Sequence, residues 1–96
     1  MIVLVSQNGY VKRMELNIPR TVRGSRGVTL NANWFKILNE PEGDNDLIIL
    51  TNLGGIARIS LKAIRPSSGV SQGVKAITLQ DYENVLDAII IKGDGQ

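Results

Sequence analysis

The chain contains no cysteine and no histidine among its 96 residues. The first absence excludes disulfides and thiolate metal sites, and a reducing compartment is the simplest home for such a sequence. The second removes the usual general base, the commonest metal ligand and the usual partner of a nucleophilic serine. Aromatic residues are scarce, with one Trp, one Phe and two Tyr. Apolar runs such as Leu47–Leu50 and Ala88–Ile91 have the length of strands and fall far short of a membrane span. Met1 to Ser6 has neither a basic start nor a small-residue cleavage site, so it does not read as a signal peptide. No stretch holds a helical period over ten residues; Lys75–Ala88 comes nearest, and Thr78, Val85 and the polar break Gln80-Asp81 interrupt it.

Charge is present but sorted. The formal net charge is only +2. Lys12, Arg13, Arg20, Arg23, Arg26 and Lys36 face a single acid, Glu15, in their stretch of chain, and Arg58, Lys62, Arg65 and Lys75 face none in theirs. The acids gather in Glu40, Glu42, Asp44 and Asp46, and again in Asp81, Glu83, Asp87 and Asp94. A phosphate-binding face needs such sorting, although solvated basic stretches would show it too.

The order basic-then-acidic occurs twice because the sequence does. Moved by 45 residues, Leu4–Leu16 falls on Ile49–Leu61, so that Gly9 meets Gly54, Arg13 meets Arg58 and Leu16 meets Leu61. The register continues through Arg20 on Arg65 and Gly24 on Gly69, and after one inserted residue Gly27-Val28 meets Gly73-Val74. Each copy opens with a β-branched apolar run, Ile2–Val5 or Leu47–Thr51, that favours a buried strand. Asn8-Gly9 and Gly54-Gly55 then supply residues tolerant of positive φ, which predicts a tight type I′ hairpin. Return strands follow at Tyr10–Leu16 and Ile56–Leu61. Loops rich in Pro, Gly, Ser and Arg come next, Asn17–Gly27 and Lys62–Gly73. Further strands are expected at Val28–Leu30 and Trp34–Leu38 in one copy, and at Val74–Leu79 and Val85–Ile91 in the other. About four strands repeated at this period is the arithmetic of a propeller blade. Two blades leave sheet edges open, which proteins normally cover.

The ordered set formed by Asn8-Gly9-Tyr10, Lys12-Arg13 and Arg23-Gly24-Ser25-Arg26-Gly27-Val28, with Arg58, Ile64-Arg65 and Ser71-Gln72-Gly73-Val74 in the second copy, resembles the blades of the DNA gyrase C-terminal β-pinwheel, carried by the A-type subunit of that enzyme, and of its topoisomerase IV counterpart. The resemblance covers nearly the whole chain. It implies an all-β fold of two tandem four-stranded blades, one over 1–46 and one over 47–96. It further implies a non-catalytic module that binds and wraps duplex DNA with weak sequence preference, in a cytoplasmic, nucleoid-associated setting. One blade of gyrase carries a box reading Gln-Arg-Arg-Gly-Gly-Lys/Arg-Gly. Arg23, Gly24, Arg26 and Gly27 match it, whereas Thr21, Val22 and Ser25 depart from it, so these read as ordinary blades. The family's strand-breaking tyrosine lies in another domain, and neither Tyr10 nor Tyr82 inherits its role.

The residues expected at DNA are Arg20, Arg23 and Arg26 first, then Lys12, Arg13, Arg58, Lys62, Arg65 and Lys75. Arginine grips phosphate with a planar fork, and loop glycines let the backbone approach. Trp34 and Phe35 are expected to pack rather than stack on bases. The acids Glu40–Asp46 lack the ligand spacing of an EF-hand and read as a solvated turn. No metal, cofactor or catalytic group is expected. Partners would be duplex DNA together with either the remaining blades and catalytic core of a topoisomerase, if the chain is a fragment, or further copies, with a closed trimer of six blades, if it stands alone. Two alternatives stay open: a propeller-like protein-interaction scaffold, and a carboxylate hydrolase built on Asp44 and Asp46 or on Asp81 and Glu83.

Overall fold

The computed structural model describes residues 1–15, 34–67 and 72–93. The strands in chain order are β1 (Ile2–Ser6), β2 (Tyr10–Met14), β3 (Trp34–Asn39), β4 (Asn45–Thr51), β5 (Ile56–Ser60), β6 (Val74–Lys75) and β7 (Val85–Lys92), with a single 3₁₀ turn at Leu61–Ala63. They form two antiparallel sheets, ordered β3-β1-β2-β6 and β5-β4-β7. The stretch around Lys75–Ala88 is strand and turn, as its β-branched residues and polar break imply.

The repeat is reproduced in hydrogen bonds. The central strands β1 and β4 each suffer a register shift on their second partner, between Val5 and Ser6 in one and between Leu50 and Thr51 in the other, 45 residues apart. In the first hairpin the Gly9 N–H donates to Ser6 O at 3.2 Å and the Tyr10 N–H to Ser6 Oγ at 3.0 Å. In the second, Gly54 N–H donates to Thr51 O at 3.1 Å and Gly55 N–H to Thr51 Oγ1 at 2.9 Å. One difference from expectation is the turn type. Only Gly9 (φ 92°) and Gly54 (φ 86°) take positive φ in these loops, and Asn8 does not. The connections are therefore three residues long, Gln7-Asn8-Gly9 and Asn52-Leu53-Gly54, with a single left-handed glycine before the return strand.

The copies are also less separable than two self-contained blades. β6 comes from the second copy yet pairs with β2 of the first, Tyr10 opposite Lys75 and Val11 opposite Val74. The expected 46/47 boundary falls inside β4, and among the described residues the second sheet has three strands. The core lies between the sheets. Val3, Val5 and Val11 of the first sheet meet Leu47, Ile49, Val85 and Ala88 of the second, with Leu61 and Ile64 of the connecting turn closing one end. Strand alternation explains the selection: odd positions of β1 and odd positions of β4 point toward each other. Ile2, Leu4 and Met14 on the opposite face of the first sheet form a smaller buried cluster with Trp34 against it, which answers the expectation that this aromatic packs.

Candidate nucleic-acid interface

Chain segregation of charge does not survive folding, because the acidic segment returns onto the strand-borne cations. Arg13 projects from β2, and its Nε and Nη2 donate to Glu40 Oε1 and Oε2, both at 2.9 Å. Its Nη1 donates to the Ile64 carbonyl at 2.6 Å. The two side chains are only 13% and 8% exposed. Arg58, the counterpart of Arg13 on β5, donates from Nε to Asp46 Oδ2 at 2.7 Å and is 45% exposed. Lys62 pairs with Asp44 in open solvent, and Lys36 with Asp87 at 2.7 Å. The hydrogen bond from Lys36, aided by the Ala88 N–H, holds the Asp87 carboxyl below its ordinary pKa.

Lys12 departs furthest from the expected phosphate contact. It is 1% exposed, with Nζ 5.8 Å from the centre of the Trp34 ring, and burial pushes its ammonium below the usual lysine pKa. Its stem is part of the packing and its charge is held inside. Lys12 and Arg13 therefore sit where DNA does not reach them. Both lie on a strand that a second strand and a loop cover.

That covering carries the geometry of interest. The loop that leaves the 3₁₀ turn is fastened to β2 at its start and at its end. At its start, the Ser67 N–H donates to Arg13 O at 2.8 Å, beside a parallel bridge between Arg13 and Pro66. At its end, β6 pairs with Tyr10 and Val11, and the Ala76 N–H donates to Gly9 O at 2.8 Å. Gly73 makes the return possible. Its φ is 86°, and a Cβ there would meet Val11 O at 2.6 Å. The sequence marks this glycine only as a loop residue; its close approach to β2 was not legible.

The two ends of this loop carry Arg65 and Lys75, both exposed, and among the described residues neither enters an ion pair. Arg65 borders a cleft of about 350 Å³ floored by Val11 and Lys12 and walled by Pro66, Gln72 and Val74. Lys75 borders the neighbouring, more open cleft of about 460 Å³ beside Tyr10, Asn8 and Glu83. Glu83 is tied in place: the Thr51 hydroxyl donates to its Oε2 at 2.6 Å and the Gln80 N–H to its Oε1 at 2.9 Å, which together hold its pKa down. The adjacent Tyr82 is fully exposed with φ 68°, fixed by the Asn52 side chain donating to its carbonyl at 3.1 Å.

Of the nine expected residues, the structure thus brings Arg65 and Lys75 to opposite ends of one loop, leaves Lys62 exposed in a surface pair, and engages Arg13, Arg58 and Lys12 inside the fold. Arg20, Arg23 and Arg26 lie outside the described residues. Among the described residues no group of acids is placed to hold a metal ion. Nor is any helix long and apolar enough to cross a membrane.

Comparison with known proteins converges on one family. A family model described as DNA gyrase C-terminal domain, beta-propeller, matches residues 1–37 and 45–92. The A-type subunit of DNA gyrase from Fibrobacter succinogenes is 39% identical over 93 residues, covering 91% of this chain and 10% of that protein. The same gyrase polypeptide from Staphylococcus aureus is 32% identical over 102 residues, covering 99% of this chain and 11% of that protein. The chain therefore spans about a tenth of the length of these relatives.

Proposed function

This chain belongs to the family of DNA gyrase C-terminal β-propeller domains, and on that premise we propose that it is a non-catalytic module that holds duplex DNA by its phosphates and guides it within a type II topoisomerase. The observation that carries the reading is the pair of exposed cations at the two ends of a loop pinned to β2, Arg65 and Lys75, in a molecule whose strand cations are otherwise engaged by carboxylates. A pinned loop places a guanidinium and an ammonium with little further loss of freedom, which suits a contact worth only a few kcal/mol. Arg20 is the counterpart of Arg65 at the 45-residue offset, so the first copy supplies the same kind of loop, with Arg23 and Arg26 added. Successive loops of this kind present a positive track along which a polyanion bends.

No helix is available among the described residues to enter a major groove, so the contacts read phosphate and shape rather than base edges. Lys62 contributes when its exposed pair with Asp44 opens, since such pairs are held by about 1 kcal/mol or less. The remaining blades and the catalytic core of a longer polypeptide are the natural partners of a module this size. The test is fluorescence anisotropy with several duplexes of unrelated sequence, comparing the unaltered chain with Arg65→Ala/Lys75→Ala and with Lys36→Ala as a surface control. The double variant is expected to bind every duplex more weakly by a common factor. Unchanged binding removes these residues from the interface, and loss confined to one sequence replaces phosphate contact by base reading.

A further inference from the structure

The second sheet has an apolar face that the described residues leave uncovered. Ile48 and Leu50 of β4, Ile56 of β5 and Ile89 of β7 line a shallow groove, with Ile56 70% and Ile89 52% exposed. Register places them side by side: Ile48 opposite Ile89, and Leu50 opposite Ile56. The repeat says what such a face is for. At the 45-residue offset Ile48, Leu50 and Ile56 correspond to Val3, Val5 and Val11, and those three are fully buried because Leu47, Ile49 and Ala88 of the next sheet lie on them. The same surface is thus used once inside the molecule as a sheet-to-sheet contact and shown once more to solvent.

We propose that this exposed face binds a second copy of the chain, face to face, across a two-fold axis. A head-to-tail contact, repeating the internal one, needs the face equivalent to Leu47 and Ile49 on the incoming copy. That face is Ile2, Leu4 and Met14, and it is already buried within the chain at 6%, 0% and 5% exposure. A closed ring of three copies lacks the surface it requires. What remains accessible is the Ile48, Leu50, Ile56 and Ile89 face of the other copy, an isologous pairing. Charge agrees. The face is flanked by Arg58 on β5 and Asp87 on β7, on opposite sides of β4. A two-fold parallel to β4 lays β5 of each copy across β7 of the other and brings these opposite charges toward one another.

Three strands at about 4.8 Å and five residues at about 3.3 Å give a footprint of about 240 Å², below the roughly 800 Å² per partner of a standard interface. The association is therefore weak and shows only at high concentration. The proposal does not depend on the phosphate reading. Its test is sedimentation equilibrium of the full chain from about 10 µM to about 1 mM, the range in which small interfaces assemble. The mass should rise from one chain toward two. Ile56→Lys should stay at one chain with an unchanged far-ultraviolet circular dichroism spectrum, while Leu53→Lys, at the tip of the neighbouring turn, should associate like the unaltered chain. Ile89→Lys provides the same reading if Ile56→Lys does not fold. A single-chain mass throughout overturns the proposal, as does association that Ile56→Lys and Ile89→Lys leave intact, or a mass that climbs to three.

Discussion

Arg13 and Arg58 occupy the same position in the repeat, yet replacing them should have very different consequences. Arg13→Ala leaves Glu40 as a buried carboxylate without its guanidinium and leaves the Ile64 carbonyl without its donor. Removing one partner of such a buried pair costs about 3–5 kcal/mol, chiefly through the orphaned charge. A chain of 96 residues has about 5–14 kcal/mol in total, so this single change removes a third or more of it. With a urea m-value of about 1.5 kcal/mol/M, the midpoint should fall by about 2–3 M. Arg58→Ala opens a pair whose arginine is 45% exposed; the expected cost is about 1 kcal/mol or less, or a midpoint change under about 0.7 M. Arg13→Met combined with Glu40→Leu should recover most of the loss, because neither charge then remains unpaired. The assay is equilibrium urea unfolding followed by circular dichroism and by Trp34 fluorescence. If Arg13→Ala shifts the midpoint no more than Arg58→Ala, the clamp between the two copies is not what holds β2 to the second unit.

Gly73→Ala should destabilise by more than Gly43→Ala, since both positions need positive φ but only at Gly73 would the new methyl meet backbone, 2.6 Å from Val11 O; thermal unfolding separates the two. The buried Lys12 ammonium makes stability rise with pH. Its folded pKa lies below the unfolded value of about 10.4, so the unfolded chain binds the extra proton between those two values. Lys12→Met should flatten that rise, as read by urea midpoints from pH 7 upward. Glu83 behaves oppositely: its lowered pKa supports the fold above the ordinary glutamate value and the support is lost as pH falls through the folded value. Thr51→Val removes the hydroxyl that donates to it and should raise the Glu83 pKa in an NMR titration of side-chain carboxyl carbons.

The sequence made the strands legible where side chains leave little choice. Ile2–Val5 and Leu47–Leu50 are branched and apolar, and both became central strands. The offset of 45 residues proved structural down to the bulges after Val5 and Leu50 and the hydroxyls of Ser6 and Thr51. The tight-turn type was not legible, because Asn-Gly suits two turn geometries and only pairing register chooses between them. β6 was misplaced for a related reason. Two residues, Val74 and Lys75, carry no local signal of which sheet they join, and long-range pairing decided it. At the site, composition identified the cations but not their partners. Glu40 and Asp46 lie 27 and 12 residues from Arg13 and Arg58, distances over which a linear charge pattern says nothing of contact. Arg65 and Lys75 stood out only once the loop between them was seen fastened to β2 at each end.

The phosphate-track claim is tested most directly by the salt dependence of duplex affinity. Each cation that neutralises a phosphate contributes about 0.9 to the slope of log K against log salt. Arg65→Ala/Lys75→Ala should therefore flatten that slope by about 1.8. A double variant that kept the full slope, or a parent chain whose affinity ignored salt, would contradict the account.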